Sequence, residues 1–393
     1  MAKKVVLAGA CRTAIGSMGG SLSAVPASEL GAVVIKEAVR RAGIAPELVE
    51  HVYMGCVLQA GLGQNVARQA AMKAGLPVQT PAVTVNVVCG SGLYAVDMAA
   101  QMIRSGDADI VVAGGMENMS RAPYALPQAR FGYRLNHAKM IDTMIEDALW
   151  DAFYDYHMGI TAENVARQWG LTREELDHFA VESQRKAAIA QKAGVFQREI
   201  VPIEIKKKSE SFLFDQDEGL RTDTTVEKIA RLRPAFQENG VVTAANASTI
   251  NDGAAAIIVL SEEKAKELGV TPMGEWVAGA LAGVEPSIMG IGPVESTRKV
   301  MRKTGLSISD FDIIEANEAF ASQSIAVMKE LAINPERLNP SGGAIALGHP
   351  VGASGCRILV TLLHEMEAAN AKTGLATLCI GGGMGCSAVV RRD

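Results

Sequence analysis

The sequence lacks the features by which membrane and secreted proteins are recognised. Its 393 residues contain no uncharged apolar stretch long enough to span a bilayer. Its start, MAKKVVLAGA, passes directly into a predicted strand without the longer apolar segment of a signal peptide. The six cysteines have neither the C-x-x-C spacing of a zinc site nor the density of a disulfide scaffold. We therefore expect a soluble, cytoplasmic protein whose cysteines are free thiols.

The common motifs for nucleotides and metals are also missing. There is no Walker pattern, and the glycine-rich stretches GLGQNV and GIGPVE both lack the last glycine of the dinucleotide motif G-x-G-x-x-G. Neither H-E-x-x-H nor any other metal-ligand spacing occurs. The net charge of −5, with both signs interspersed, is not that of a nucleic-acid-binding surface. The sequence therefore predicts no metal, no dinucleotide or nucleoside triphosphate, and no nucleic-acid partner.

What the sequence does contain is an alternation of strand and helix patterns. Lys4–Ala10 and Val49–Val57 are predicted to be strands. The helix predicted between them, Ala27–Ala42, ends at Gly43. A further apolar strand, Asp109–Ala113, is predicted to end at a pair of glycines. This alternation is typical of a mainly parallel sheet that helices cover on both faces, so we place the chain in the α/β class.

The alternation is interrupted between about Met116 and Ala247, where strand patterns become rare. Thr172 and Glu175 have the spacing of a capping box, which predicts a helix running to about Gly194. We interpret this segment as an insertion. The chain is then divided into an N-terminal half (1–120 and 248–271), an inserted loop domain (121–247) and a C-terminal half (272–393).

The C-terminal half repeats the order of elements in the N-terminal half. A strand (Glu275–Leu281) is followed by a helix (Val294–Lys303), and then by a glycine-rich turn, another helix and another strand. Two such halves packed together bring equivalent loops to a shared centre, and ligands of α/β sheets collect beyond the carboxyl ends of the strands. We therefore expect the loops that contain Cys89 and His349 to meet.

Cys89 lies where the β-branched run VNVV passes through Gly-Ser-Gly into a helical pattern. The partial positive charge and free N–H groups at a helix start favour a thiolate and lower the pKa of the cysteine. The flanking glycines allow a substrate to approach the backbone closely. A buried structural cysteine is the alternative, and the stretch alone does not decide between the two.

Three further residues lie in settings that suit catalysis. His349 occupies a glycine-dense turn at the head of a helix, where an imidazole could serve as a base for a cysteine or cap the turn. Cys379 ends a strand before a glycine run whose N–H groups could form an oxyanion site, although a small core residue would fit there as well. Asn317 follows a predicted strand, where its side chain could cap a helix, hold a water or carbonyl group, or do both.

Four motifs, in this order, resemble those of the thiolases: VNVVCGSG around Cys89, NEAF from Asn317 to Phe320, GGAIALGHPVGASG around His349, and CIG from Cys379 to Gly381. The resemblance covers the whole chain, including the insertion, and points within the family to the short-chain acetyl-CoA acetyltransferases. It implies a thiolase-like fold of duplicated α/β halves that form five layers, α-β-α-β-α, with an inserted loop domain.

The resemblance also implies a reaction. Two acetyl-CoA molecules condense reversibly to acetoacetyl-CoA and CoA, through an acetyl group held on Cys89 after His349 has deprotonated its thiol. Cys379 acts as acid and base on carbon, and His349 meets the enolate charge together with a water held on Asn317. The N–H groups of Cys89 and Gly381 bind the tetrahedral oxyanion. The CoA thioesters are substrates, and no cofactor is implied.

Further residues are implied as binding residues by their positions in matching stretches. Arg221 is expected near the adenine and phosphate end of CoA. The residues expected along the pantetheine arm and around the acyl group are Leu149, His157, Met158, Phe236, Ala244, Ser248, Met289 and Phe320. Members of the family are dimers or tetramers, and Ala122–Lys139 corresponds to the loop that joins two dimers into a tetramer.

Other functions stay open on the sequence alone. A degradative 3-ketoacyl-CoA thiolase with longer substrates shares every catalytic residue. A non-catalytic acyl-CoA- or lipid-binding protein on the same fold is recognised by the loss of Cys89, His349 or Cys379, and none is lost here. A disulfide between Cys89 and Cys379 that stops catalysis is a further hypothesis.

Overall fold

The structure is a computed structural model, and it describes residues 3–207 and 210–392. The long strands of the main sheet are β1 Val5–Thr13, β2 His51–Gly55, β3 Ala82–Val85, β4 Ile110–Asn118, β5 Asn251–Ser261, β6 Gly274–Gly283, β7 Ile313–Ala316, β8 Thr373–Ile380 and β9 Met384–Arg391. The helices are α1 Ala27–Ala42, α2 Val66–Lys73, α3 Ser91–Ser105, α4 Met158–Gln168, α5 Arg173–Lys192, α6 Val226–Ile229, α7 Glu262–Leu268, α8 Gly292–Thr304, α9 Ala321–Leu331, α10 Ala344–Leu347 and α11 Val351–Ala368.

Short strands complete the architecture. Gly16–Ser17 pairs with β5, and Ile200–Val201 pairs with β1. Three small hairpins lie within the insertion: Tyr124–Ala125 with Ile141–Asp142, Trp150–Asp151 with Tyr156–His157, and Ile203–Lys207 with Glu210–Phe214. No helix in the described part of the chain combines the length and the apolar character needed to cross a bilayer.

The two halves of the chain have the same strand order. The N-terminal half runs β1-β5-β4-β2-β3 across the sheet, and the C-terminal half runs β6-β9-β8-β7, continued by a parallel bridge from Ile314 to Leu338. Corresponding neighbours also run in the same relative directions in both halves. The halves join where β1 pairs with β6 through Val6 and Leu7. The duplication predicted from the sequence is confirmed.

Helices form three layers around these two half-sheets in the described residues. Helices α1 and α2 pack on the outer face of the N-terminal half, and α8 packs on the outer face of the C-terminal half with α9 beside it. Helices α3 and α11 lie between the halves and contact the strands of both. This gives the five layers α-β-α-β-α. It also places the start of α3, which follows Cys89, beside the start of α11, which follows His349.

The sheet is mixed, so the prediction of a mainly parallel sheet was wrong. Five of the eight neighbouring pairs along the main path are antiparallel. Strand β8 turns directly back into β9 through Gly382 and Gly383, whose φ values of +84° and +83° suit glycine. Strand β5, which follows the insertion, enters between β1 and β4 and runs antiparallel to both. The direction of a strand depends on such distant connections.

Strand β4 continues beyond the glycine pair that was predicted to end it. A Cβ atom at Gly114 would lie 2.1 Å from the carbonyl oxygen of Ala255 in β5. A Cβ atom at Gly115 would lie 2.0 Å from the carbonyl oxygen of Gly352 in α11. These glycines therefore allow the strand to pack closely against its neighbours rather than terminate it.

Several helix ends agree with the sequence. Helix α1 ends at Gly43, which has a left-handed φ of +70°. Helix α5 begins with both hydrogen bonds of the capping box between Thr172 and Glu175. Ser261 accepts a hydrogen bond at the start of α7, which ends at Gly269. Local side-chain chemistry fixes these boundaries, so they could be read without knowledge of the tertiary fold.

A buried ion-pair group ties the insertion to the first strand. The Arg12 side chain donates from Nε to Glu199 Oε1 at 2.6 Å, from Nη1 to Asp217 Oδ1 at 2.7 Å and from Nη2 to Asp217 Oδ2 at 2.9 Å. All three side chains are almost fully buried. Removal of one partner would leave a buried charge unpaired, so this group holds the insertion in place beside β1.

Candidate active site

Cys89 occupies a tight turn between β3 and α3. The hydroxyl oxygen of Ser91 accepts a hydrogen bond from the Val87 N–H at 2.9 Å, and the hydroxyl donates to the Val88 carbonyl oxygen at 2.7 Å. Val88 has a φ of +43°, a rare conformation for a β-branched residue. A Cβ atom at position 90 would lie 2.4 Å from the Ile380 side chain, so Gly90 is needed there. The turn thus presents Cys89 at the boundary between the two halves.

The thiol of Cys89 is only 8% exposed, and its pKa differs from the prediction. Burial raises the pKa of Cys89 to about 11, although the N–H groups of Gly381 and of Cys89 itself lower it in part. The expected lowering by the helix start was therefore wrong, because loss of hydration outweighs the nearby N–H groups. A base is needed to ionise this thiol at neutral pH.

His349 is held by contacts to two other residues. Its backbone N–H donates to Asn251 Oδ1 at 2.9 Å, and its ring nitrogen Nδ1 lies 2.5 Å from the hydroxyl oxygen of Ser354. The Ser354 hydroxyl in turn donates to the Pro350 carbonyl oxygen at 2.9 Å. Because that hydroxyl has one proton, its oxygen accepts the proton of Nδ1. Nε2 is then the unprotonated nitrogen, and no described protein group pairs with it.

The imidazole of His349 is also kept neutral. Burial, and secondly the positive charge of Arg357, lower the pKa of His349 to about 3. The imidazole is therefore neutral at physiological pH, and the lone pair of its unpaired Nε2 can accept a proton from a neighbouring thiol. His349 and Cys89 line the same cavity, as does Gly381, whose N–H reaches the sulfur of Cys89. The structure thus brings the predicted nucleophile, the predicted base and an N–H donor to one cavity.

Cys379 and Asn317 are fully buried and are not among the residues that line this cavity. Burial raises the pKa of Cys379, and charge on the sulfur of Cys89 raises it further, so the two thiols are electrostatic neighbours. The amide of Asn317 makes no hydrogen bond with any described protein group. A fully buried amide of this kind is suited to hold a water or a carbonyl oxygen.

Asn317 does not cap a helix, contrary to one of its two predicted uses. Helix α9 begins at Ala321 with Phe320 in the cap position. The intervening backbone is held extended because Asn339 exchanges two hydrogen bonds of 2.8 Å with Ala316, and Ala321 N–H donates to the Asn246 carbonyl oxygen at 2.9 Å. These partners are distant in sequence and leave no local signal.

The cavity has a volume of about 540 Å³ and is mostly apolar, which is typical of small-molecule sites. Each predicted binding residue lines it: Leu149, His157, Met158, Arg221, Phe236, Ala244, Ser248, Met289 and Phe320. Other lining residues were not predicted: Ser17, Met18, Met119, Ala148, Ala235, Ala247, Thr249, Ile250, Ala319 and Val351. Several of these unpredicted residues adjoin predicted ones in sequence. Met18 does not: its backbone N–H donates to the Ile250 carbonyl oxygen at 3.1 Å, a long-range contact that no sequence pattern indicates.

Aromatic rings form one wall of this cavity. The ring of His157 stacks on Phe236 with centroids 4.7 Å apart, and Phe236 meets Phe320 edge to face at 6.2 Å. A Cβ atom at position 159 would lie 2.2 Å from the Phe236 ring, which explains the glycine in His157-Met158-Gly159. The wall joins the insertion, which supplies His157 and Phe236, to the loop before α9.

Comparisons with known proteins agree with this arrangement. The thiolase N-terminal domain matches residues 5–263, and the thiolase C-terminal domain matches residues 270–392. The chain is 58% identical over 390 residues to the acetyl-CoA acetyltransferase of Pseudomonas aeruginosa, with 99% of each chain covered. It is 57% identical over 389 residues to that of Cupriavidus necator, again with 99% of each covered. A crystal structure of the Bacillus anthracis acetyl-CoA acetyltransferase superimposes with a TM-score of 0.98 at 44% identity, with 99% of each chain covered. The chain belongs to the thiolase family.

Proposed function

We propose that this protein is an acetyl-CoA C-acetyltransferase, which reversibly condenses two acetyl-CoA molecules to acetoacetyl-CoA and CoA. One observation carries the proposal: the unpaired Nε2 of His349, the Cys89 thiol and the Gly381 N–H converge on one cavity, and the buried Cys379 thiol is an electrostatic neighbour of Cys89. The names of the relatives support the same reaction.

In the first half-reaction, Nε2 of His349 takes the proton of the Cys89 thiol, and the sulfur attacks the carbonyl carbon of acetyl-CoA. The N–H groups of Cys89 and Gly381 stabilise the tetrahedral oxyanion. The carbon–sulfur bond to CoA then breaks, and the thiol of Cys379 protonates the departing sulfur. Cys89 now holds the acetyl group, His349 is an imidazolium, and Cys379 is a thiolate.

In the second half-reaction, the Cys379 thiolate takes a proton from the methyl group of a second acetyl-CoA. A thiol whose pKa is raised by burial gives a strong base once it is ionised, which suits abstraction from carbon. The enolate oxygen is met by Nε2–H of His349 and by a water held on Asn317. The enolate carbon attacks the acetyl group, and the released Cys89 sulfur regains its proton from His349.

The names of the relatives support a short acyl chain. Met158, Met289 and Phe320, each less than a tenth exposed, line the same cavity as Cys89 and make part of that lining apolar. A degradative thiolase of broader chain length is the second candidate, because it would use the same catalytic groups. A non-catalytic binding protein is disfavoured by the presence of all the reacting groups in one arrangement.

A pair of thiolysis assays tests this function. Purified protein is given CoA with acetoacetyl-CoA, or with a 3-ketoacyl-CoA of eight or more carbons, and each assay is repeated with Cys89→Ala. Strong preference for acetoacetyl-CoA that vanishes in the variant supports the proposal. Comparable turnover of the long substrate supports the degradative thiolase, and full activity of Cys89→Ala contradicts the mechanism.

Assembly, location and domain division belong to the proposal as well. Residues 121–247 are assigned as the loop domain that binds CoA and contributes to a homotetramer built as a dimer of dimers. A cytoplasmic location suits the six cysteines, which are all free and buried. The reaction as written needs CoA thioesters and no further cofactor or metal.

A further inference from the structure

Glu318 lies directly after Asn317 and is 2% exposed. Its carboxylate accepts three hydrogen bonds: Asn339 Nδ2 donates at 2.8 Å, the Ser183 hydroxyl at 2.6 Å and the Ile345 N–H at 3.2 Å. Burial raises the pKa of Glu318, and these donors oppose that effect. Hydrogen bonds to a buried carboxylate are strong and directional, so Glu318 fixes the positions of its three donors relative to one another.

The three donors come from different parts of the chain. Asn339 also holds the backbone of Ala316, one residue before Asn317, by two hydrogen bonds of 2.8 Å. Ile345 lies in α10, which ends two residues before His349. The carboxylate of Glu318 therefore links the segment that bears Asn317 to the segment that leads into His349.

The turn before α10 is built around this carboxylate. A Cβ atom at Gly343 would lie 2.2 Å from Cδ of Glu318, so a side chain at that position would push the carboxylate away. The N–H of Gly343 donates to the Ser183 hydroxyl oxygen at 3.1 Å. Ser183 thus bridges the turn and the carboxylate.

Helix α5 also connects this group of residues to Arg221, which lines the cavity. Gln184, next to Ser183, accepts a hydrogen bond from the Arg221 N–H at 2.9 Å and donates to the Ile345 carbonyl oxygen at 3.3 Å. The insertion therefore contacts the catalytic segments through Ser183 and Gln184 together.

We propose that Glu318 is a positioning residue that fixes Asn317 relative to His349, with Ser183 as its anchor in the insertion. This proposal rests on the proposed function, in which these two side chains hold the enolate. Their relative placement matters because misplacement by about 1 Å can cost a hundredfold in rate. Glu318 itself touches no reacting atom.

The test uses Glu318→Gln and Ser183→Ala in the full-length protein. Glutamine has nearly the shape of Glu318, but one carboxylate oxygen becomes an NH₂ group that faces hydrogen-bond donors. Alanine at position 183 removes only the hydroxyl that anchors Glu318 to the insertion. We expect kcat for acetoacetyl-CoA thiolysis to fall at least about tenfold in Glu318→Gln and by a smaller factor in Ser183→Ala. KM should stay within about twofold in both, because the cavity lining is unchanged.

Glu50→Gln is the control at an exposed carboxylate that also accepts N–H groups. Glu50 accepts the N–H groups of Asp109 and Ile110 at 2.6 and 2.9 Å, at the amino end of β4. Rates are normalised to titratable Cys89 and measured well below the melting temperature, so that a loss of stability alone does not lower kcat. Wild-type kcat in either folded variant, or an equal loss in Glu50→Gln, would overturn the proposal. If Glu318→Gln does not fold, Ser183→Ala decides, and absence of thiolysis in the wild type would instead reject the proposed function.

Discussion

Nδ1 of His349 lies 2.5 Å from the hydroxyl oxygen of Ser354, and that hydroxyl donates to the Pro350 carbonyl oxygen at 2.9 Å. This relationship assigns the ring proton to Nδ1 and leaves Nε2 free to accept the proton of Cys89. The first turn of α11 therefore determines which ring nitrogen of His349 is unprotonated.

Ser354→Ala removes the acceptor of the Nδ1 proton, so the ring is no longer held in the tautomer that leaves Nε2 free. We expect kcat of thiolysis to fall by about tenfold or more, since general base catalysis contributes about 10²–10⁴ in rate. Steady-state kinetics measure the effect, with Ser105→Ala at the exposed end of α3 as control. An unchanged kcat in Ser354→Ala would contradict the assigned tautomer.

The raised pKa of Cys89 predicts how its reactivity depends on pH. With a pKa of about 11, the thiolate fraction of the free protein rises about tenfold for each pH unit from 7 to 10. The rate of Cys89 alkylation by iodoacetamide, followed by peptide mass spectrometry, should rise with the same slope. His349, with a pKa of about 3, adds no transition in this range. An alkylation rate that stops rising above pH 8 would contradict this prediction, because it would show that the N–H groups at the helix start lower the pKa of Cys89 more than burial raises it.

Gly159→Ala tests the aromatic wall of the cavity. The added methyl group would lie 2.2 Å from the Phe236 ring and must displace it from His157. We expect the displaced ring to lose about 1 kcal/mol of binding free energy with the substrate, which corresponds to about a fivefold rise in KM for acetoacetyl-CoA. In the control, Gly283→Ala, the nearest atom to the new Cβ is 3.9 Å away. An equal KM in wild type and Gly159→Ala would rule out this wall as a substrate contact.

The segment 122–140 exposes large apolar side chains, as expected of a surface that another subunit covers. Phe131 is 79% and Leu135 is 86% exposed. If the proposed assembly is correct, light scattering should show a tetramer for the wild type and a dimer for the double variant Phe131→Glu/Leu135→Glu. A wild-type dimer, or a variant that is still a tetramer, would remove this role.

The sequence predicted those features that depend on local chemistry. The end of α1 at Gly43 and the capping box of Thr172 involve only neighbouring residues, and the duplication appears as a repeated order of patterns. The four motifs contain Cys89, His349 and Gly381, which line one cavity, and their catalytic roles stay a prediction. The lining residues followed from their positions in stretches that match the thiolases.

Features that depend on distant partners were not predictable in this way. The antiparallel course of β5 is set by its return after the insertion. The extended backbone at Asn317 depends on Asn339 and Asn246. The pKa of Cys89 depends mainly on its burial between the two halves of the chain. The sequence around the start of α3 does not reveal that burial.

In the proposed mechanism, Cys89 carries the acyl group and His349 is its base. Protein incubated with acetyl-CoA, quenched in acid and digested should show the Cys89 peptide heavier by one acetyl group, and His349→Asn should show slower formation of this species. An acetyl group on another residue, or none on Cys89 while the protein turns over acetoacetyl-CoA, would contradict the account.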